Sequence, residues 1–195
     1  WAVPYLTIDP QDVGRSYEAI IRINSQSGKG GIAYILDHEH GFDLPKTMHP
    51  QVGSYIYGHA DAEGRELGNE EIGDLFFEKY VNLESPLHLL EFELDHTGKK
   101  DGELTCHATV KMGDEVIRGT GCGNGPINAF VHLLAELGYK TFKVTDYRSQ
   151  ALRGGSDADS AAYVQIQDIE SGALLWGCGV DPSIEMAGLR ALVSA

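Results

Sequence analysis

Two short segments of this chain have the composition of a ligand-binding backbone turn. Gly121-Cys122-Gly123-Asn124-Gly125-Pro126 and Gly177-Cys178-Gly179-Val180-Asp181-Pro182 share the pattern Gly-Cys-Gly-x-x-Pro. Each follows an alternating, strand-like run and precedes a helical pattern. Glycines ahead of a helix leave backbone N–H groups open, and the helix dipole favours a carboxylate there. The copies differ at one position. Asp181 can cap its own helix, with Pro182 at the first helical position. Gly125 has no side chain, which leaves the first helix end open to an outside anion. Residues 151–161 are long for a hairpin connection, rich in small residues, and carry Asp157 and Asp159. Long ordered loops are often functional. A helix end for a carboxylate, an acid or carbonyl for an ammonium group and apolar walls make a pocket for a small amino acid. The same glycines can instead serve only close helix–sheet packing, and the residues alone leave both readings open.

Other candidate chemistry is weaker. Ser25-Gln26-Ser27-Gly28-Lys29-Gly30-Gly31 is a glycine-rich turn with a lysine, but a phosphate loop needs Ser or Thr after Gly-Lys, and Gly30 stands there. Asp37, His38, Glu39 and His40 have metal-ligand chemistry, yet as neighbours in a polar loop before Gly41 they read as solvated. No metal site is expected. A free-standing enzyme built on Lys29, His38 and His40 lacks a convergent nucleophile–base or ligand spacing. The three cysteines, Cys106, Cys122 and Cys178, have neither disulfide-framework nor zinc spacing. They read as small buried residues in a reducing, cytoplasmic setting.

A net charge of −14 argues against nucleic acid and anionic membrane surfaces as partners. No apolar run is long enough for a membrane span, and no signal peptide is visible. Trp1 opens the chain without an initiator Met, which reads as a piece of a longer protein.

The elements that must position these residues follow from periodicity. Residues 1–14, with Pro4, Tyr5 and Pro10, read as an extended linker. Residues 16–24 alternate as a strand, and residues 32–36 read as a short helix. Residues 52–59 have helical spacing, and 61–68 read as a loop. Asn69 is the expected N-cap of a helix with the stripe Ile72, Leu75, Phe76 and Tyr80. Strands are predicted at 87–95, 103–111 and 115–122, with Leu104, Cys106, Ala108 and Val110 on one face and a turn over 97–102. A helix follows at 126–137, closed by Gly138. The order repeats as strands at 141–148, 161–168 and 173–178 and a helix at 182–193. The predicted fold is α+β. Small α/β linker subdomains (1–60, and a helical part 61–86) precede a domain of two pseudo-twofold-related βββα units, 87–138 and 139–195.

The segments Val3-Pro4-Tyr5-Leu6-Thr7-Ile8-Asp9-Pro10 and Arg15-Ser16-Tyr17-Glu18-Ala19-Ile20-Ile21-Arg22-Ile23-Asn24-Ser25-Gln26-Ser27-Gly28-Lys29-Gly30-Gly31 resemble the region after the catalytic barrel in the 2-isopropylmalate synthase family. Gly123-Asn124-Gly125-Pro126 and Trp176-Gly177-Cys178-Gly179-Val180-Asp181-Pro182-Ser183-Ile184 resemble that family's C-terminal regulatory domain. The resemblance implies an enzyme condensing acetyl-CoA with 3-methyl-2-oxobutanoate, the committed step of leucine synthesis. Its metal-binding (β/α)₈ barrel lies upstream of such a region. It implies that this part, without cofactor and inactive alone, binds L-leucine as feedback inhibitor within a homodimer, while a divalent metal belongs to the barrel. It places the leucine pocket at Gly123, Asn124, Gly125, Pro126, Ile127 and Asn128, with Val144, Tyr147, Ala151, Ala158, Ser160 and Val180 from the second unit. Tyr5 matches a linker tyrosine that reaches the partner's active site and bears on catalysis. Asn128 and Ser160 stand where the family form carries alanine, which makes the pocket tighter and more polar if both face the ligand. A citramalate synthase domain answering to isoleucine, and a dimerisation module without ligand, remain the alternatives.

Overall fold

The six β-runs predicted between residues 87 and 178 form strands, most of them with alternating apolar residues, and each unit closes with a helix whose apolar stripe covers one sheet face. The computed structural model describes residues 30–95, 103–152 and 158–195, with Asp12 and Gly14. Tyr5, the strand expected at 16–24, the glycine-rich turn at 25–29, the turn at 97–102 and Asp157 lie outside the described residues. Three helices come first: α1 (Gly30–His40), α2 (His49–Glu63) and α3 (Asn69–Tyr80). Two βββα units follow. The first is β1 (Leu87–Asp95), β2 (Leu104–Met112), β3 (Glu115–Gly123) and α4 (Pro126–Glu136). The second is β4 (Phe142–Ala151), β5 (Ser160–Asp168), β6 (Leu174–Asp181) and α5 (Ile184–Ser194). The strands make two antiparallel three-stranded sheets, ordered β1-β2-β3 and β4-β5-β6. The α+β class and the βββα units are those the sequence predicts.

The glycine rows set how the helices lie. Gly121 faces α4 so closely that an added Cβ would stand 2.1 Å from the Ala129 carbonyl oxygen. At Gly123 it would stand 2.5 Å from the Ala129 nitrogen. In the second unit a Cβ at Gly179 would stand 2.0 Å from the Ala187 oxygen, and one at Gly177 2.2 Å from the Ala191 oxygen. Each helix therefore rests on bare strand backbone. Leu104, Cys106, Ala108 and Val110 are all buried on the inner face of the first sheet, as their alternation requires. They share one core with Phe130, Leu133 and Leu134 of α4, Ala162 and Val164 of β5, and Leu189 and Leu192 of α5.

The second sheet carries a further layer. Ala161, Tyr163, Trp176 and Cys178 belong to a separate core with Ile32, Leu36, Val52, Ile56, Ile72 and Phe76 of α1–α3. The run Ala161–Val164 is thus buried on both faces, with Tyr163 and Cys178 at 0% exposure. Val81 bridges Cys178, and Asn82, at φ 51°, extends that contact. Its amide donates to the Val180 carbonyl at 3.0 Å and accepts from the Val180 N–H at 2.9 Å. On β4, Arg148 pairs with Asp43, and Gln150 Nε2 donates to the Gly41 carbonyl at 2.8 Å.

Four local expectations are corrected. The helix expected at 32–36 runs from Gly30 to His40, so Asp37, His38, Glu39 and His40 occupy its last turns rather than a polar loop. His40 Nε2 donates to the Asn69 carbonyl at 3.0 Å, with its ring against Gly73. The helix expected at 52–59 extends through Glu63, because Gly64 at φ 65° supplies the stop. Gly68, not Asn69, is the N-cap of α3: Glu71 reaches back to accept the Gly68 N–H at 2.8 Å. Finally, β6 runs on through Asp181 and α5 starts at Ile184 rather than Pro182. Ser183 Oγ caps it by accepting from the Met186 N–H at 3.3 Å, while Asp181 accepts from the Ser183 N–H and pairs with Arg190 at 3.1 Å.

Two predictions follow from these contacts. Gly121→Ala and Gly179→Ala each force a helix off its strand and should destabilise the chain by about 1–3 kcal/mol or more. Gly58→Ala, on the exposed side of α2 with nothing within 4 Å of the new Cβ, should stabilise it by about 0.5–1 kcal/mol. Urea midpoints of the three variants check the contrast. Glu71 is held down to about 2, first by Arg65 and then by the Gly68 N–H. A depressed carboxylate contributes stability above its ordinary pKa and loses it as pH falls through the folded value. The stability gap between the native chain and Glu71→Gln should therefore be full above about pH 5 and vanish towards pH 2, read from denaturation midpoints at each pH.

Candidate functional site

At the start of α4 the backbone leaves donors open. Gly125 is the N-cap, extended at φ −173°, and no side chain caps the helix there. Pro126 has no N–H to offer, and the Ala129 N–H is taken by the Gly125 carbonyl at 2.9 Å. The N–H groups of Ile127 and Asn128 are the ones the helix geometry leaves without intrahelical acceptors. They lie beside a groove of about 480 Å³ lined by residues 124–128 and by Val131, Phe142, Lys143 and Val144. Ile127 and Val131, one turn apart on α4, face Phe142 and Val144 of β4 across it. The groove therefore joins an open helix end and the start of β4 at Lys143 to apolar walls. That set can hold a carboxylate at one end and an aliphatic side chain at the other. In the second unit Asp181, Ser183 and Arg190 fill the matching helix end, so only the first stays open in the way Gly125 predicts.

Asn128 accepts the Asn124 N–H at 3.3 Å and so holds the turn over the groove together. Gly123 is buried and does not line the groove; it lets α4 approach β3. A bulge in β4 between Val144 and Asp146 lets Tyr147 lean on α5. Its ring and Ile127 both lie over Gly188, where an added Cβ would be 3.4 Å from the Tyr147 hydroxyl and 3.1 Å from Ile127 Cδ1. Tyr147, 44% exposed, thus borders the groove through Ile127.

The remaining expected residues stand elsewhere. Ala151 pairs with Ser160 at the other end of β4, roughly 20 Å along the strand from Val144. Half-buried Ala158 lies next to that end. Val180 packs against the core of α1–α3. The structure thus gathers Asn124, Gly125, Pro126, Ile127, Asn128 and Val144, with Tyr147 alongside. It sets Ala151, Ala158 and Ser160 apart from them, and Val180 on the helical side. Val131, Phe142 and Lys143 were missed. The signal for Val131 is its place one turn after Ile127; that for Phe142 and Lys143 is their place at the strand start beside Val144. Among the described residues no group of three or more His, Cys, Asp or Glu could hold a metal ion. No described helix is long and apolar enough to cross a membrane.

Cys106, Cys122 and Cys178 form no disulfide. Burial pushes the Cys106 thiol up to about 11 and the Cys178 thiol higher still. Cys122 is half-buried on the other face of β3, with its sulfur 3.7 Å from Thr105 Oγ1.

Comparison with known proteins adds an independent line. A family model described as the LeuA allosteric (dimerisation) domain matches residues 66–195. One described as alpha-isopropylmalate synthase, post-catalytic domain-like, matches residues 1–37. The 2-isopropylmalate synthase of Mycobacterium leprae (strain TN) is 43% identical over 195 residues, covering 100% of this chain and 32% of that protein. That of Thermobifida fusca (strain YX) is also 43% identical over 195 residues, covering 100% of this chain and 33% of the relative. That of Corynebacterium efficiens is 37% identical over 195 residues, covering 100% and 33%. The chain spans about a third of the length of these relatives.

Thiol reactivity reports the burial pattern directly. A thiolate-specific reagent at pH 8 should label Cys122 first, and Cys106 and Cys178 only on unfolding, as mass spectrometry of the labelled peptides will show.

Proposed function

Because the chain belongs to the LeuA allosteric (dimerisation) domain family, we propose that it is the regulatory region of a 2-isopropylmalate synthase and binds L-leucine as feedback inhibitor. The observation that carries this reading is the groove at Gly125, where an open helix end and Lys143 stand beside Ile127, Val131, Phe142 and Val144. The leucine carboxylate takes the N–H groups of Ile127 and Asn128 and the Lys143 ammonium. The isobutyl group lies against the four apolar side chains, and the amide oxygens of Asn124 and Asn128 receive the ammonium group. In this reading the condensation of acetyl-CoA with 3-methyl-2-oxobutanoate, and the divalent metal it needs, belong to the catalytic barrel of the whole protein. Tyr5 bears on that site in the partner, and the working unit is a homodimer. Inhibition needs only that leucine bind one arrangement more tightly than another. β4 is the physical link: one end borders the groove, and farther along Arg148 and Gln150 hold the loop after α1.

The test is a thermal-unfolding titration with leucine, isoleucine and valine. A ligand that binds only the folded chain stabilises it by about 2.7 kcal/mol at a hundred times its Kd, a rise of several degrees. The largest shift is expected with leucine. A larger shift with isoleucine would identify a citramalate synthase domain, and no shift with any of the three would leave only an assembly role. Gly125→Asp sharpens the result. Nothing lies within 4 Å of its new Cβ, and aspartate is a good N-cap. The variant should fold at least as stably as the native chain yet lose the leucine shift, because a carboxylate then occupies the helix end.

A further inference from the structure

The two units differ in what covers their outer sheet faces. The β5–β6 face is buried under α1–α3, whereas no described element covers the corresponding face of β1–β3. That open face is ordered by charge. The register aligns Glu91, Thr109 and Arg118 in one row across the three strands, and Glu93, His107 and Thr120 in the next. Asp95, Thr105 and Cys122 make a further row. Acids thus line β1 from Glu91 to Asp95, Arg118 stands on β3, and β2 between them carries Thr105, His107, Thr109 and, in a row with His88 and Val116, Lys111. Glu91 and Arg118 are two strands apart, about 10 Å between backbones, and do not pair with each other. Among the described residues neither has an ion-pair partner. The same row opens a recess of about 350 Å³ between Glu91, Phe92, Glu93, His107, Thr109 and Arg118.

We propose that this face docks a second copy of the chain, with a twofold axis along β2 that sets Glu91 of each copy against Arg118 of the other. The inference rests on the homodimer reading above and names its surface. Rotation about an axis along the central strand, in the plane between two facing sheets, lays β1 of one copy over β3 of the other and keeps each row in register. The Glu91–Arg118 contact then forms twice, as an isologous interface requires, and Thr109 meets its own counterpart at the axis. His107 and Lys111, the neighbours of Thr109 on the outward side of β2, also meet their own counterparts along the axis, with the two sheets at the usual separation of about 10 Å. The recess beside Thr109 receives the Arg118 side chain of the second copy.

Sedimentation equilibrium over a concentration series tests this. The native chain should dimerise. Glu91→Arg and Arg118→Glu should each weaken the dimer at least tenfold, because each places like charges opposite twice. An equimolar mixture of the two variants should regain it, since a mixed dimer restores opposite charges at both contacts, and so should the doubly substituted chain. Recovery in the mixture shows that both variants are folded. Single variants that dimerise like the native chain would overturn the surface while leaving the homodimer reading intact. A native chain that stays monomeric throughout would overturn the homodimer reading and the surface with it.

Discussion

The structure depends on two helices pressed directly onto strand backbone. Gly121 and Gly123 under α4, and Gly177 and Gly179 under α5, leave no room for even one carbon atom. The closeness lets Leu133 and Leu134 of α4 share a core with residues of both sheets. It also fixes where each helix begins. A helix seated this near its strand must start right at the strand end, after a tight turn. The groove beside Gly125 is a consequence of that seating. The packing role of the glycines and the opening at Gly125 therefore belong to one arrangement, and the two readings the residues leave open are not exclusive.

The duplicated units show how one pattern yields an open and a closed helix end. In the second unit Ser183, Asp181 and Arg190 satisfy the start of α5 from within the chain. In the first, Gly125 and Pro126 offer neither an acceptor nor a competing donor. The remaining difference lies in the sheets. The run Ala161–Val164 has no alternation because helices cover it on both sides, whereas β2 alternates cleanly, with no helix among the described residues above its outer face.

These features were unequally legible in the sequence. The Gly-Cys-Gly-x-x-Pro repeat, the βββα order and the inward stripe of β2 are set by local periodicity, and the structure follows them closely. So is the open end at Gly125, because a missing side chain is visible in the residue itself. The docking of α1–α3 onto β5 and β6 was not legible: it joins residues about a hundred positions apart. The start of α5 was misplaced because two residues, Asp181 and Ser183, can each cap a helix, and the pairing of Asp181 with Arg190 decides between them. The bulge after Val144 shifts which β4 residues share a face, and strict alternation does not show it. Past the bulge Tyr147 shares the face of Val144 and reaches α5, whereas Ala151, on that same face, stands too far along the strand to border the groove.

Asn82 has a role in the life of the sheet beyond joining two layers. β6 is an outer strand, with N–H and C=O groups turned away from β5. Such a row is a template on which another extended chain can add. Val81 and Asn82 lie along it, and the Asn82 amide answers both the donor and the acceptor of Val180 as a strand residue would. The segment leaving α3 thus closes that margin of the sheet to stray strands. It does so with a single turn of chain at positive φ, too short and too bent to be extended in its own right.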